Sequence, residues 1–163
     1  MARDDQNRET PAVDPPRGMH DCQLDDKGRL KLPSTFQQFL TSIAEKKLFV
    51  TSLDRRIARI YPISVWRENE KLIEDFRDRP QSARNVMFTA QDLGADAEMD
   101  SQGRVLFNTT LRRDLDLENQ PLHIYVHGGH FEVLTEGIYQ ERRQLASKAV
   151  ADDLELLERA GFK

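Results

Sequence analysis

The sequence predicts an α+β fold made of two tandem copies of one small module, and three observations carry that expectation. A charged turn flanked by strand residues occurs twice, as Leu24-Asp25-Asp26-Lys27-Gly28-Arg29-Leu30 and as Met99-Asp100-Ser101-Gln102-Gly103-Arg104-Val105. Behind each copy come apolar residues at helical spacing, Phe36 and Leu40 in the first and Leu111 and Leu115 in the second, followed by a pair of alternating strands. Composition agrees: of 163 residues 38% are hydrophobic and 32% charged, the balance of a chain that buries a core. A two-copy repeat lets each half cover the apolar face of the other as a pseudo-dimer.

Taken in order, residues 1–17 mix charged and small polar groups with Pro11, Pro15 and Pro16 and lack apolar periodicity, which predicts a flexible N-terminal extension. The first module spans residues 18–80. In it, Cys22-Gln23-Leu24 reads as a strand, Asp25 to Gly28 as a turn, and Arg29-Leu30-Lys31-Leu32 as a second strand with period two, together a tight hairpin. Pro33 suits the first position of a helix whose apolar face holds Phe36, Phe39, Leu40 and Ile43. Leu48 to Thr51 and Ile57 to Tyr61 read as strands joined through Leu53-Asp54-Arg55-Arg56, and Pro62 opens a helix carrying Val65, Trp66, Leu72, Ile73 and Phe76. Trp66 and Phe76 share one helical face and are expected in the core.

The second module spans residues 81–143. Ala83, Val86, Met87 and Ala90 are spaced for a helix after the break at Pro80. The repeated turn follows, then a helix with Leu111 and Leu115, then strands at Leu122 to Val126 and His130 to Leu134 around a Gly128-Gly129 turn. Beyond Thr135 a charged helix with Ile138, Leu145, Ala149, Leu154 and Leu157 runs toward the C-terminus, so that residues 144–163 form a packing or partner helix.

Composition also bounds function. No stretch reaches the roughly 18 consecutive apolar residues of a membrane span, and the acidic, proline-containing start has no signal-peptide core, so the expectation is a cytoplasmic protein without a membrane partner. A single cysteine, Cys22, forms no intramolecular disulfide. The net charge of −4 argues against nonspecific polyanion binding by the chain as a whole. Docking depends on the field within about 10 Å at moderate salt, however, so the distribution of charge outranks its sum.

The repeated loop has chemistry of its own. Gly28 and Gly103 permit the positive φ of a sharp turn, which lets Lys27 and Arg29 project together from a loop small enough for a DNA major groove. Arg29 offers a planar fork matching guanine O6 and N7, worth about 1–3 kcal/mol of base discrimination, while Lys27 and Lys31 suit phosphates as point charges. Asp25, and Asp100 in the second copy, brace the turn or orient the arginine. In the second copy Gln102 replaces the lysine, and Arg104, Arg112 and Arg113 are the phosphate candidates. One module with two or three basic contacts binds at about 10⁻⁴ to 10⁻⁶ M. Repetition of the loop in an oligomer multiplies that affinity by about 10² to 10⁴.

Other chemistries fit poorly. His123, His127 and His130 resemble a metal pattern, but His123 and His127 stand four residues apart on an expected strand, roughly 13 Å at about 3.3 Å per residue, which is too far for the two to share one ion. Asp25 and Asp26 sit on a turn, where aspartate is a turn former before it is an acid or base. No nucleophile, phosphate-loop or cofactor pattern is present, so neither an enzyme nor a cofactor is expected.

Arg17-Gly18, the run Leu24-Asp25-Asp26-Lys27-Gly28-Arg29-Leu30-Lys31-Leu32-Pro33, and Asp100-Ser101-Gln102-Gly103-Arg104 resemble the MraZ family of the SpoVT/AbrB-like superfamily over about residues 17–143. That resemblance implies a swapped-hairpin β-barrel with short flanking helices and a ring of several subunits. It also implies a repressor of the division and cell-wall gene cluster that binds short direct repeats in double-stranded promoter DNA, and hence a nucleoid-associated protein. The chain departs from the family at Cys22, where histidine is usual, at Gln37, where arginine is usual, and at Asn108, which stands for a proline and is itself a good N-cap. The alternative is an oligomeric protein-interaction scaffold of the same fold that no longer binds DNA.

Overall fold

The computed structural model describes residues 13–163, so the expected extension lies outside it except for residues 13–17, which carry no regular structure. In chain order the elements are β1 (His20–Cys22), β2 (Arg29–Lys31), α1 (Ser34–Ser42), β3 (Lys47–Thr51), β4 (Ala58–Pro62), α2 (Ile63–Asp75), α3 (Pro80–Leu93), β5 (Ala95–Glu98), β6 (Arg104–Leu106), α4 (Thr109–Asp114), β7 (Leu122–His127), β8 (His130–Thr135) and α5 (Glu136–Arg159). The fold is α+β. Six strands form one antiparallel sheet in the order β1-β7-β8-β4-β3-β5, open at β1 and β5, and β2 and β6 form a separate two-stranded ladder.

The strands around the repeated loops do not pair as expected. The hairpin across Asp25 is reduced to a single bridge from Leu24 to Leu30. β1 pairs instead with β7, Cys22 opposite Leu122, and β2 with β6, Leu30 opposite Val105. The reason is burial. Leu30 and Val105 are both wholly buried, and pairing the two short strands covers both on one face, which a lone three-residue hairpin cannot do. β5 reads Ala-Asp-Ala-Glu, an alternation whose apolar members are only alanines. It is a strand because β3 offers a free edge, with Leu48 opposite Ala97.

Helix starts follow from local chemistry. Pro33 is the N-cap of α1 and not its first residue, because its ψ of 150° is still extended. Pro62 does the same for α2, while Pro80 lies in the first turn of α3. Asn108 caps α4, its Oδ1 accepting from the Leu111 N–H at 2.8 Å, and its Nδ2 donates to the Leu93 carbonyl at 2.9 Å.

The main core joins equivalent residues of the two halves. Leu32, Phe36 and Leu40 meet Phe107, Leu111 and Leu115 beneath Ile60, Phe131 and Val133. Phe36 and Phe131 pack edge to face, 4.9 Å between ring centroids. On the other side of the sheet Trp66 stacks on Phe49 at 4.5 Å beside Tyr61 and Ala90. Trp66 is core as its spacing implied. Phe76 is not: α2 ends at Asp75, and Phe76, extended at its C-cap, is 39% exposed.

Across the middle of the sheet Arg59 on β4 stands opposite Glu132 on β8. Glu132 also accepts from the Tyr125 hydroxyl and bonds His130, each at 2.8 Å. Burial alone pushes the Glu132 carboxyl up, but the bonds from His130 and Tyr125 and the charge of Arg59 outweigh it and hold it at about 2.

Candidate nucleic-acid interface

The two Asp-x-x-x-Arg loops are built atom for atom alike. In the first, Asp25 Oδ1 accepts from the backbone N–H groups of Lys27 and Arg29 at 3.0 and 2.9 Å, and its Oδ2 accepts from Arg29 Nε at 2.8 Å. In the second, Asp100 Oδ1 accepts from Gln102 and Arg104, both at 2.9 Å, and its Oδ2 accepts from Arg104 Nε at 2.7 Å. The turns close through Gly28 and Gly103, whose N–H groups each donate to the aspartate carbonyl at 3.0 Å with φ of +80° and +75°. The backbone N–H of Arg29 is the chief reason the Asp25 carboxyl lies below the usual carboxylate range, and Arg104 does the same for Asp100. Each aspartate thus fixes its turn and one edge of its arginine. The Nη atoms of Arg29 and Arg104 have no protein acceptor among the described residues.

The β2·β6 ladder decides which way these groups face. Leu30 and Val105 point inward, so Arg29, Lys31, Arg104 and Leu106 point out, with Arg29 opposite Leu106 and Lys31 opposite Arg104. Lys27 and Lys31 are exposed, as is Gln102. The result is one outward face with three basic side chains on its strands and a tight turn at either end. Leu106 occupies the position that Lys31 holds in the first copy, and it is 54% exposed.

Each loop is seated on the other half of the chain. The Phe107 N–H donates to the Gly28 carbonyl and the Leu32 N–H to the Gly103 carbonyl, both at 2.9 Å. A Cβ added to Gly28 would lie 2.4 Å from Cζ of Arg112 on α4, and one added to Gly103 would lie 2.0 Å from Cδ of Gln37 on α1. Gln37 also donates to the Leu32 carbonyl at 2.7 Å. Arg112 bonds Glu118 at 2.5 Å and Thr109 at 3.1 Å, its side chain is 15% exposed, and its Nε is buried without a partner among the described residues. The structure therefore brings Arg29, Lys31 and Arg104 to one face, leaves Lys27 exposed on the turn before β2, and turns Arg112 inward against the first loop. Gln37, noted in the sequence only as standing where arginine is usual, supports the second loop, and Leu106 is a part of this surface that sequence reasoning missed, although the repeat alignment sets Gln37 at the position of Arg112 and Leu106 at that of Lys31.

The histidines sit elsewhere. His123 Nδ1 lies 3.2 Å from Asp21 Oδ1, and its Nε2 bonds Glu136. The rings of His127 and His130 are 6.0 Å apart. No helix among the described residues is long and apolar enough to cross a membrane.

No family model matches the chain. Curated relatives do. A transcriptional regulator MraZ of Acidobacterium capsulatum is 28% identical over 142 residues, covering 87% of this chain and 97% of the relative. The transcriptional regulator MraZ of Koribacter versatilis is 30% identical over 105 residues, 64% of this chain and 71% of the relative, and that of Nitrosomonas europaea is 32% identical over 104 residues, 64% and 70%. The chain belongs to the MraZ family. These MraZ relatives are named as regulators of transcription and not as enzymes, in agreement with a sequence that carries no catalytic pattern.

Proposed function

We propose that the chain is a DNA-binding transcriptional regulator that reads a promoter through the outward face of the β2·β6 ladder and its two loops. One observation carries the reading: Arg29, Lys31 and Arg104 stand on a single exposed face, and each arginine is held along its Nε edge by an aspartate, leaving its Nη edge for a partner. A guanidinium fixed in this way loses little side-chain freedom on docking, which suits bidentate recognition of guanine. Lys27 and Lys31 act as phosphate contacts and Asp25, Asp100, Gly28 and Gly103 as the groups that set the loops. Arg112, expected at a phosphate, is assigned to support of the first loop, because its guanidinium lies on Gly28 and is engaged by Glu118 and Thr109.

Residues 18–80 and 81–143 form two SpoVT/AbrB-like modules that exchange strands as in a swapped-hairpin barrel, a reading supported by β1 on β7 and β5 on β3. Several copies form a ring that repeats the loops along short direct repeats, repressing a division and cell-wall gene cluster from the nucleoid, and the names of the relatives support a regulatory role. The test is a footprint with competition on the DNA upstream of the protein's own gene. Protection of evenly spaced boxes, resistant to random duplex, is expected. Equal competition by random duplex overturns the reading in favour of a scaffold that does not read DNA.

A further inference from the structure

α5 leaves the body of the protein after its first turns. Glu136 bonds His123, Tyr139 stacks on the His123 ring at 3.9 Å, and Glu141 pairs with Arg56 at 2.5 Å. No residue of the helix is buried, and every residue from 140 onward is exposed. Its 24 residues make a rod about 36 Å long at about 1.5 Å per residue.

That exposed rod does not have the sequence of a solvated helix. At about 100° per residue, Leu145, Ala149 and Leu156 line one margin of a broad arc, and Ala146, Val150, Leu154 and Leu157 line the other. The large members are bare: Leu145 is 54% exposed, Val150 55%, Leu156 61% and Leu157 53%. Helices draw most of their stability from burial of such a face, so this one needs a partner. Two charges interrupt the arc near its centre line, Arg142 and Asp153, about three turns apart. They are equidistant from the midpoint of the helix, which falls between Ser147 and Lys148.

The distribution of charge identifies the occupant. Arg142 and Arg143 are the basic groups of the first half, whose Glu136 and Glu141 are engaged by His123 and Arg56, while Asp152, Asp153, Glu155 and Glu158 outnumber Lys148 and Arg159 in the second half. We propose that α5 pairs antiparallel, over its exposed turns, with α5 of a second copy of this chain. Reversal lays Arg142 and Arg143 of each helix on Asp153 and Asp152 of the other, whereas parallel pairing opposes like charges. Pairing Arg142 of each copy with Asp153 of the other fixes the register, on either side of a centre formed by Leu145, Ala146, Ala149 and Val150. The contact is isologous and closes as a twofold dimer, independent of any assembly made by the β-strands and of the DNA reading.

Sedimentation equilibrium of the full chain tests this. Arg142→Asp and Asp153→Arg, each alone, put like charges together across the pair and are expected to lower the assembly mass at least twofold. An equimolar mixture of the two variants is expected to recover the wild-type mass, since the carboxylate introduced at position 142 of one chain then meets the guanidinium introduced at position 153 of the other. The double exchange within one chain is expected to recover it for the same reason. Fluorescence of buried Trp66 monitors the fold of the body in each variant. Wild-type mass in both single variants overturns the proposal. A lowered mass that neither the mixture nor the double exchange restores also overturns it, and directs α5 to another apolar surface such as Leu72 and Phe88 on α2 and α3.

Discussion

Replacing Gly103 with alanine tests the seating of one loop on the other half of the chain. Gly103 has φ of +75°, and alanine in that conformation costs about 1–2 kcal/mol. The new Cβ would also lie 2.0–2.2 Å from the Gln37 amide, with no room between. Gln37 must swing away and give up its bond to the Leu32 carbonyl, a further loss of about 0.5–1.5 kcal/mol. Gly103→Ala should therefore destabilise by about 2–3 kcal/mol, or about 5–10 °C in melting temperature for a chain of this size. Gln37→Ala removes the same bond and the obstacle together. In that background the glycine substitution should cost only its backbone strain, so the double variant is milder than the sum of the singles by about 1 kcal/mol. Urea unfolding of the four proteins measures the cycle. Strict additivity refutes the reasoning, because it means that Gln37 and Gly103 do not touch.

Three further outcomes follow from the same geometry. Arg112→Gln puts at the first loop the side chain that already serves the second, so operator affinity and its salt dependence should stay close to wild type; a phosphate contact at Arg112 would instead flatten the log-log salt slope by about 0.9. Glu132 is held at about 2 against an ordinary 4.5, so the stability it contributes is complete above 4.5 and lost as pH falls toward about 2. Glu132→Gln should make the unfolding free energy flatter over that window and lower at neutral pH, and an unchanged acid slope in urea titrations contradicts the assignment. Asn108→Ala removes the α4 cap and the tie to Leu93, and should cost about 1–2 kcal/mol in thermal unfolding, while no loss would mean that the cap contributes nothing.

Local chemistry made much of this molecule legible from its residues. Aspartate four positions before arginine around a glycine fixes a turn with little help from the rest of the chain, and Asn108 caps whichever helix follows it. The inward stripe of Phe36 and Leu40 and its repeat at Leu111 and Leu115 needed only period. Partnership was harder, because Arg29-Leu30-Lys31 presents the same alternation to a local hairpin as to a strand from the other half; burial of Leu30 against Val105 chose between them. β5 was invisible because Ala95–Glu98 has weak strand propensity and is held by the edge of β3. Arg112 reads as a phosphate contact and Gln37 as a departure from arginine, and only the crossing of the halves sets them over Gly28 and Gly103. Phe76 kept the helical spacing of Trp66, but the helix ended one residue too early to bury it.

The most direct test of the DNA reading is the affinity of Arg29→Ala for its own promoter fragment against random duplex, with oligomer mass and melting temperature measured on the same sample. Loss of about 1–3 kcal/mol per loop, about 5- to 150-fold for each engaged loop, should erase the preference for the promoter. Arg104→Ala should reduce it less, since Gln102 stands where the first loop has Lys27. An Arg29→Ala protein that forms the wild-type assembly and still binds its promoter with wild-type affinity and preference would contradict the account.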